Sequence, residues 1–406
     1  MDKLRIGVFL EDGFKPTLGG GFSYYERLIQ KIDDFVFDAS IEVFFLSKST
    51  ISKENFKKKI LEIPISKFRN QHWSFIYKFI FRIFSFSVLR YFRIQEKIKN
   101  KIEKQIAKDS IIFLKQNKVD LVYYPTQNRY PMDYPFIATH WDLGHKTMFA
   151  FPEVTLHNKF EKRENYHRVI LQKAFAIFAE SEQSKKELIE LEQINENRIF
   201  VVPLFAGKVV ELNVYEKQQT DILQKWSLDK NKFYFYPAQF WAHKNHYGLL
   251  MAFQMVLKNN PKLKLVLSGS DKGNLSYIKG IVKELNLESN VLFTGFVTDE
   301  EIYAFYKNAI ALVMPTFLGP TNMPLLEANR LGCTVICSDL NGHKQQMKEN
   351  AIYFDPSNFV DIATKMESVI DSKKSFTTIP ESNTCEILNQ HFKSLYNVRK
   401  TFGYDF

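Results

Sequence analysis

Cysteine is scarce in this chain of 406 residues, with three occurrences. Three cysteines cannot build a disulfide framework, and no pair lies at metal-ligand spacing with histidines. Cys333 and Cys337 fall on one apolar run, so both are predicted to be core residues of a protein from a reducing cytoplasm. No signal peptide is predicted, because Met1 is followed within four residues by a core strand.

Long hydrophobic runs and common nucleotide-binding patterns are missing as well. The aromatic stretch 73–88 is interrupted by Lys78 and Arg82, which excludes a transmembrane span. The glycine loop 16–21 does not satisfy G-x-G-x-x-G, so a dinucleotide fingerprint is not supported. No RNA- or DNA-binding motif accompanies the basic residues, so a nucleic-acid partner is not predicted.

The composition that remains is that of an ordinary globular protein, with 45% hydrophobic and 25% charged residues. The length predicts two domains, each large enough for its own core. The net charge of +10 is concentrated locally, because residues 65–104 hold ten lysines or arginines against two glutamates. Such a local excess indicates an anionic partner.

The basic region 65–104 also carries aromatic residues at helical spacing, among them Trp73, Tyr77 and Phe81. An amphipathic helix with aromatics on one side and cations on the other favours an anionic membrane surface. The alternative is a pair of helices that pack their aromatic residues inward. The membrane interpretation predicts a cytoplasmic protein that associates peripherally with the inner face of the membrane.

Short apolar runs alternate with helical periodicity along most of the chain, which predicts an α/β fold with parallel sheets. The predicted organisation has four parts: a first domain at 1–205, a connection at 206–231, a second domain at 232–380, and a C-terminal helix at 381–406 that crosses back to the first domain.

Polar and glycine-rich loops follow several predicted strands. They include Gly20–Gly21 after the first strand, His140-Trp-Asp142 after the run 135–140, and a donor-rich loop at 238–246. That loop holds Gln239, Lys244 and Asn245, a concentration that predicts a pocket for a polyanion. A flexible glycine loop and a structural histidine are the alternatives for the first two.

The stretch 311–337 reads as strand, tight loop, short helix and second strand. Its loop brings Thr321, Asn322 and Met323 to the start of the helix, where unpaired amides and the helix dipole suit phosphates and sugar hydroxyls. Glu327 lies one helical turn beyond Met323 and is predicted to face the same crevice and bind a diol. The alternative is a buried βαβ unit in which Glu327 makes a cap or a salt bridge.

These features together resemble the GT-B glycosyltransferases, and most closely the retaining family 4, over nearly the whole chain. The similarity is strongest from Phe233 to Asp355. Gly20–Gly21, His140-Trp-Asp142, Ser181-Glu-Gln-Ser-Lys185, Lys244-Asn245 and Pro324-Leu-Leu-Glu327 are the matching segments. The resemblance implies a GT-B fold, in which two doubly wound Rossmann-like domains face a cleft.

The resemblance also implies roles for individual residues. Lys244 would neutralise the leaving diphosphate, Glu327 would hold the ribose hydroxyls, and His140 would touch the sugar near the anomeric carbon. The expected catalytic residues are His140, Lys244 and Glu327. The expected donor-binding residues are Gly20, Gly21, Gln239, Lys244, Asn245, Thr321, Asn322, Met323 and Glu327. No metal ion and no cofactor are expected, because no Asp-x-Asp lies at the cleft and the nucleoside diphosphate sugar is a substrate.

Two positions depart from the family pattern. Where the family has the first Glu of its Glu-x7-Glu motif, this chain has Gly319, and where it has an Arg before Lys244, this chain has Gln239. The losses remove one acid and one base together. This favours a variation in donor specificity, and reduced activity is the alternative.

The predicted function is therefore transfer of a hexose-type unit, with retention, to a glycan or lipid-linked glycan in surface polysaccharide biosynthesis. Two alternatives remain open: a GT-B nucleotide-sugar epimerase with the same donor pocket, and a non-catalytic donor-binding or membrane-scaffold protein. Neither the nucleotide nor the sugar, acceptor or linkage follows from the sequence.

Overall fold

The computed structural model describes residues 3–11, 20–48, 56–64, 105, 107–129, 132–371 and 376–402. The basic region 65–104 and the loop 12–19 lie outside these described residues, so the predictions made for them stay predictions. Within the described residues the chain forms two sheets in which every pairing is parallel. The predicted α/β class with two doubly wound sheets is confirmed.

The first sheet has the strand order β3-β2-β1-β4-β5-β6-β7. Its strands are β1 (Leu4–Phe9), β2 (Ile41–Ser47), β3 (Ile60–Glu62), β4 (Leu121–Tyr123), β5 (Phe136–His140), β6 (Ala176–Ala179) and β7 (Ile199–Val201). The second sheet has the order β10-β9-β8-β11-β12-β13. Its strands are β8 (Phe233–Pro237), β9 (Lys264–Ser268), β10 (Val291–Gly295), β11 (Ala311–Met314), β12 (Thr334–Ser338) and β13 (Ile352–Phe354). In both sheets the strand order reverses beside the first strand of the unit, which is where doubly wound sheets open a crevice for ligands.

The helices lie between the strands and cover the sheets. The α-helices of the described residues are 107–116, Gly20–Asp34, Gly144–Thr147, Pro152–Thr155, Lys159–Asn165, Glu182–Glu192, Glu216–Lys225, His246–Leu257, Leu275–Glu284, Asp299–Asn308, Met323–Arg330, Asn341–Met347, Phe359–Glu367 and Thr384–Phe402. Short 3-10 turns occur at Leu171–Lys173, Glu196–Arg198, Lys208–Glu211 and Ala242–Lys244, and a π-helical turn at Tyr166–Ile170.

Alternate side chains of the first sheet point into two separate cores. Ile6 and Val8 pack into one core beneath the helix Gly20–Asp34, and Phe9 packs into the other. Because both faces of a parallel sheet are covered by helices, its strands read as nearly continuous apolar runs. The helix Thr384–Phe402 joins the first of these cores, so the chain returns to the first domain after completing the second sheet.

Local sequence signals account for several helix boundaries. The hydroxyl of Ser181 accepts a hydrogen bond from the amide of Ser184 and caps the helix Glu182–Glu192. Thr298 and Glu301 form a reciprocal capping box at the start of Asp299–Asn308. Each of these caps lies just past a strand and fixes the direction in which the chain leaves the sheet edge.

The segment 206–231 differs from the connection that the sequence predicted. It contains a 3-10 turn and the helix Glu216–Lys225, and Val209, Leu223 and Leu228 pack into the core of the second sheet. Its polar composition hid this role, because the helix is largely solvent-exposed and buries few residues.

No helix in the described part of the chain is both long and apolar enough to cross a bilayer.

Candidate donor site

A cavity of about 550 Å³ lies between the two domains, at the carboxyl ends of β8, β9 and β10. Phe22 and Glu26, on the helix Gly20–Asp34, line it from the first domain. Gln239, Val297 and Glu327 are among the residues that line it from the second domain. The crevice that the topology predicts at this sheet edge is therefore present and faces the first domain.

Glu327 lies in the wall of this cavity and is 8% exposed. Its Oε1 accepts a hydrogen bond from the amide of Gly207 at 3.2 Å, and its Oε2 accepts one from the hydroxyl of Tyr306 at 3.0 Å. A β-carbon on Gly207 would lie 2.3 Å from Oε1, so this close approach requires glycine. Burial raises the pKa of Glu327 to about 7, against the smaller opposing effects of Tyr306 and Gly207.

Lys244 ends the 3-10 turn that follows β8, and its ammonium donates to Oδ1 of Asn322 at 3.2 Å. Asn322 immediately precedes Met323, which lines the cavity. Burial lowers the pKa of Lys244 to about 8, although Asp142 and Glu153 favour its charged form. An ammonium in this setting gains more from an anionic ligand than a fully solvated one would.

Gln239 lines the cavity at the position where the family pattern has an arginine. Its amide donates to Oγ of Ser270 at 3.3 Å and accepts from the indole of Trp241 at 3.1 Å. Among the described residues that line the cavity, Lys208 is the one with a basic side chain. The charge that the family pattern places at position 239 is therefore absent from that side of the wall.

Two of the groups predicted to bind the donor make hydrogen bonds within the protein, and their donor roles stay predictions. The Asn245 carboxamide accepts from the amide of Gly248 and donates to the carbonyls of Pro315 and Pro356, so it is a helix cap. The backbone amide of Asn322 donates to Oε1 of Gln346 at 3.0 Å and does not project freely toward a ligand. These bonds join loops distant in sequence, so they could not be predicted from the local pattern.

The remaining predicted donor residues are divided between the cavity and its surroundings. Met323 is 8% exposed, lines the cavity and packs into the first-domain core. Thr321 lines a different cavity, of about 570 Å³, that also includes Glu180. Gly20 and Gly21 begin the helix Gly20–Asp34, with Gly21 facing the ring of Trp141. Their predicted donor contacts stay predictions.

His140 lies at the end of β5 and is 0% exposed, outside the lining of the donor cavity. Among the described residues neither of its ring nitrogens has a hydrogen-bond partner, and its ring meets that of His167 edge-on at 5.3 Å. Burial lowers the pKa of His140 to about 3, so the ring is neutral at physiological pH. Its predicted contact with the sugar stays a prediction.

Asp142, two residues further on, is held in place by its neighbours. It forms an ion pair with Arg163 and accepts a hydrogen bond from the amide of Gly144 at 2.7 Å. Burial favours the neutral acid, but Arg163 and this amide lower the pKa of Asp142 below its ordinary value. Asp142 and Gly319 line a smaller cavity of about 180 Å³ at the domain interface. A fixed negative charge therefore lies beside the predicted reaction centre.

The backbone conformation at position 319 explains why this residue is a glycine. Its φ is +122°, a region that L-amino acids rarely adopt, and a β-carbon there would lie 2.8 Å from Nδ2 of Asn322. The backbone of this loop is thus incompatible with a glutamate at 319 unless it rearranges. The absence of the family acid at this position is consistent with the backbone conformation of this loop.

Sequence reasoning missed one contact that joins the domains at the site. Oε1 of Glu153 accepts hydrogen bonds from the amide of His243 at 2.7 Å and from its Nδ1 at 2.6 Å. Glu153 precedes Lys159–Asn165 in the first domain, and His243 directly precedes Lys244. No local sequence pattern indicates this contact, because its two partners lie 90 residues apart.

One group of possible metal ligands occurs among the described residues. His145, Glu164 and Glu192 bring ligand atoms within 4.8 Å of one another. The ammonium of Lys146 lies 3.4 Å from Glu164 and 2.8 Å from Glu192, so it already supplies positive charge to both carboxylates. We therefore treat this group as a salt-bridge cluster.

Two doubly wound domains that face an interdomain cavity define the GT-B fold, and comparison with solved structures shows the same architecture. Sucrose-phosphate synthase from Thermosynechococcus elongatus superposes with a TM-score of 0.65 and 16% identity, over 99% of this chain and 100% of that one. HepE from Anabaena, solved with UDP and glucose, superposes with a TM-score of 0.62 and 16% identity, over 98% and 99%.

Residues 218–383 match the family model of glycosyl transferases group 1. O-antigen chain mannosyltransferase B from Escherichia coli is 24% identical over 213 residues, which cover 52% of this chain and 56% of that protein. The match thus spans little more than half the length of this curated relative. The family segment contains Gln239, Lys244 and Glu327.

Proposed function

We propose that this protein is a retaining glycosyltransferase that moves a hexosyl unit from a nucleoside diphosphate sugar to a glycan or lipid-linked glycan. The observation that carries the proposal is the cavity at the ends of β8 to β10, with the Glu327 carboxylate in its wall. Lys244 is bonded to Asn322, the residue before Met323, which lines the cavity. The named relatives support a role in surface polysaccharide biosynthesis, because one of them is an O-antigen chain mannosyltransferase.

The nucleoside occupies the cavity on the second domain in this proposal. Phe296 and Val297 line the wall beyond β10, and Gly269 and Ser270 line the turn after β9. Glu327 accepts hydrogen bonds from the ribose hydroxyls. Since its pKa is near 7, a ribose diol that donates two hydrogen bonds stabilises the ionised form.

Lys244 supplies positive charge where the diphosphate leaves. Negative charge grows on the diphosphate as the glycosidic bond breaks, so a fixed ammonium stabilises the transition state more than the bound donor. The desolvated setting of Lys244 increases this effect, because the cation is poorly hydrated before the ligand arrives. Attack by the acceptor on the same face of the sugar needs no enzymic nucleophile, so we assign none and propose that no metal ion takes part.

The acceptor approaches from the first domain, and the neutral ring of His140 touches the sugar near the anomeric carbon. We further propose that the basic region 65–104 holds the enzyme at the inner membrane face, where lipid-linked acceptors are available. Charge and aromatic content support this placement.

A thermal-shift series with UDP, GDP, ADP, CMP and dTDP sugars tests the donor assignment, because stabilisation follows ligand affinity. GDP-mannose and UDP-glucose are the first candidates, given the mannosyltransferase relative and the UDP-bound structural neighbour. We expect one nucleoside diphosphate sugar to raise the melting temperature by several degrees, and Glu327→Gln to remove most of the shift. Absence of any shift with all five classes would refute the proposal.

An acceptor-dependence assay with the stabilising donor then separates transfer from the alternatives. We expect release of free nucleoside diphosphate only when a glycan acceptor is present. Conversion of the donor to an epimer without acceptor indicates the epimerase. Tight binding without turnover on a panel of acceptors indicates the non-catalytic protein.

A further inference from the structure

Asn322 is held by hydrogen bonds on every polar group it has. Its backbone amide and carbonyl both bond to the carboxamide of Gln346, at 3.0 Å each. Its side-chain Nδ2 lies 2.8 Å from Nε2 of His343, and its Oδ1 accepts from the ammonium of Lys244 at 3.2 Å. Asn322 therefore connects the lysine after β8 to a histidine after β12.

Only one assignment of hydrogen-bond donors and acceptors satisfies the contacts between Lys244, Asn322 and His343. A carboxamide nitrogen only donates, so the Nε2 of His343 that faces it must be the acceptor and carry no proton. The ring proton is then on Nδ1, which lies 2.9 Å from the carbonyl oxygen of Ser338. Burial favours the neutral ring, and the pKa of His343 is lowered to about 4.

Rotation of the Asn322 carboxamide by half a turn would be unfavourable at both ends. It would place Oδ1 against the lone pair of His343 Nε2, and the NH2 group against the Lys244 ammonium. His343 thus determines which end of the amide faces the lysine, although Lys244 and His343 make no direct contact in this connection.

We infer that His343 is a positioning residue for Lys244: it orients the Asn322 carboxamide so that its oxygen holds the ammonium beside the donor site. The inference rests on the proposed function, in which this ammonium meets the leaving diphosphate. His343 is 0% exposed and is not among the residues that line the donor cavity, and its hydrogen-bonded route to Lys244 runs through Asn322.

The hydrogen bond from Lys244 to Asn322 also affects the pKa of Lys244, because an acceptor favours the charged form. Burial disfavours the ammonium, and the Asn322 oxygen, Asp142 and Glu153 favour it. The ionisable groups His243, His246 and His343 also face this lysine. Burial lowers the pKa of each of these three rings, so all are neutral at pH 7 to 9. A change in the Asn322 contact can therefore be measured as a change in the titration midpoint of Lys244.

The test measures that titration directly in the full chain without any ligand. Competitive acetylation with acetic anhydride across pH 6 to 11, followed by peptide mass spectrometry, gives the midpoint for Lys244. Asn322→Asp places a carboxylate against the ammonium, so the midpoint should rise by about one pH unit or more. His343→Phe frees the carboxamide to turn its NH2 group toward the lysine, so the midpoint should fall.

Two further variants separate positioning from general destabilisation. His343→Gln retains an acceptor for Asn322 and should keep the wild-type midpoint, which a merely structural role would not require. His391→Phe is the control in the C-terminal helix. His391 is a partly buried histidine whose ring bonds to the carbonyl of Val201, and its replacement should leave the Lys244 midpoint unchanged. Donor turnover should fall at least tenfold in His343→Phe and recover to within about threefold of wild type in His343→Gln.

An unchanged Lys244 midpoint in Asn322→Asp overturns the inference, and this variant decides the matter if His343→Phe fails to fold. A midpoint that moves equally in His343→Gln and His343→Phe also overturns it. If the midpoint moves as expected but neither wild type nor variant binds a nucleoside diphosphate, the positioning role stands and the proposed function fails.

Discussion

At the scale of single residues, the proposed function depends most on the charge of Lys244. Its ammonium donates to Asn322 in the loop that begins the helix Met323–Arg330, and burial lowers its pKa to about 8. A charged group with a lowered pKa at a cleft is a common mark of a catalytic position. The consequences for mutation and for pH can be stated separately.

Lys244→Ala should lower kcat/KM by roughly ten- to one-hundredfold, since a hydrogen bond to a charged group is worth about 1.5–3 kcal/mol. The ammonium is the active form, so wild-type kcat/KM should decline as pH rises through about 8. Rates from pH 6 to 10 with saturating acceptor measure both effects. An alkaline decline that persists in Lys244→Ala would assign the decline to another group.

Glu327→Gln should differ from Lys244→Ala, because it should mainly raise KM for the donor.

At Gly319, the effect of a substitution on backbone stability must be measured separately from its effect on the activity of the site. Gly319→Ala should destabilise the protein by about 1–3 kcal/mol, because φ is +122° and the new β-carbon meets Asn322. Gly319→Glu pays the same backbone cost and adds an unbalanced carboxylate, so its activity should fall below that of Gly319→Ala. Urea denaturation and donor turnover measure the two parts.

The family arginine provides the control for that charge. Gly319→Glu combined with Gln239→Arg should recover part of the activity lost in Gly319→Glu, without regaining the stability of wild type. If Gly319→Glu alone gains activity over wild type, the native site is a degraded form of the family site and the specificity interpretation is wrong.

At the scale of secondary-structure elements, the contact between Glu153 and His243 links the short helix Pro152–Thr155 to the turn that carries Lys244. One carboxylate oxygen accepts both the backbone amide and the ring nitrogen of His243. The Glu153 side chain is 7% exposed, so solvent screens this contact only weakly. The position of the Lys244 turn therefore depends on the first domain.

Glu153→Ala should lower the free energy of unfolding by about 1.5–3 kcal/mol, because a buried amide and a ring nitrogen lose a charged acceptor. Glu153→Gln keeps one oxygen for the amide and should cost less. Chemical denaturation monitored by tryptophan fluorescence gives both values. Glu161→Ala, at an exposed acidic position in the next helix, is the matched control and should change stability by less than about 0.5 kcal/mol. Equal losses in all three variants would contradict the prediction.

Most elements of the fold could be predicted because their signals are local. The apolar runs at β1, β8 and β11, and the Ser181 cap, depend on residues within one turn or one strand of each other. The strands β3 and β13 escaped prediction because each has three residues at or near a sheet edge. Such short runs carry no periodicity that distinguishes them from loops.

The candidate site divides in the same way. The positions of Lys244 and Glu327 could be predicted, because a polar residue just past a strand or on the first turns of a helix marks the ligand edge of an α/β sheet, and their donor roles stay predictions. The roles of His343 and Glu153 could not, because their partners lie 21 and 90 residues away. The cap made by Asn245 could not be distinguished from a ligand contact in the sequence, since both use the same residue type.

At the scale of the whole molecule, the uneven distribution of positive charge is the basis of the proposed membrane placement. The chain has a net charge of +10, and the region 65–104 contributes most of the excess. Basic side chains near an anionic bilayer contribute about 1 kcal/mol each.

Charge reversal at Arg90, Arg93 and Lys97 should therefore release the protein from anionic vesicles. Three reversals remove several kcal/mol of attraction, which sedimentation with phosphatidylserine-containing vesicles resolves. Reversal of Lys217, Lys230 and Lys262, which are exposed on the second domain, is the matched control and should leave binding nearly intact. Equal binding of wild type to neutral and anionic vesicles would remove the electrostatic basis.

The return of the helix Thr384–Phe402 to the first domain has a consequence for the order of events during synthesis. Leu388, Phe392 and Leu395 complete a core whose other walls include Tyr123 and Phe178. At roughly 5–20 residues per second, the helix leaves the ribosome tens of seconds after the first sheet. Throughout that interval the first domain exposes an apolar groove that its own chain has not yet filled. Chaperones that bind nascent apolar surface therefore have a defined target and a defined release point, the arrival of Phe392.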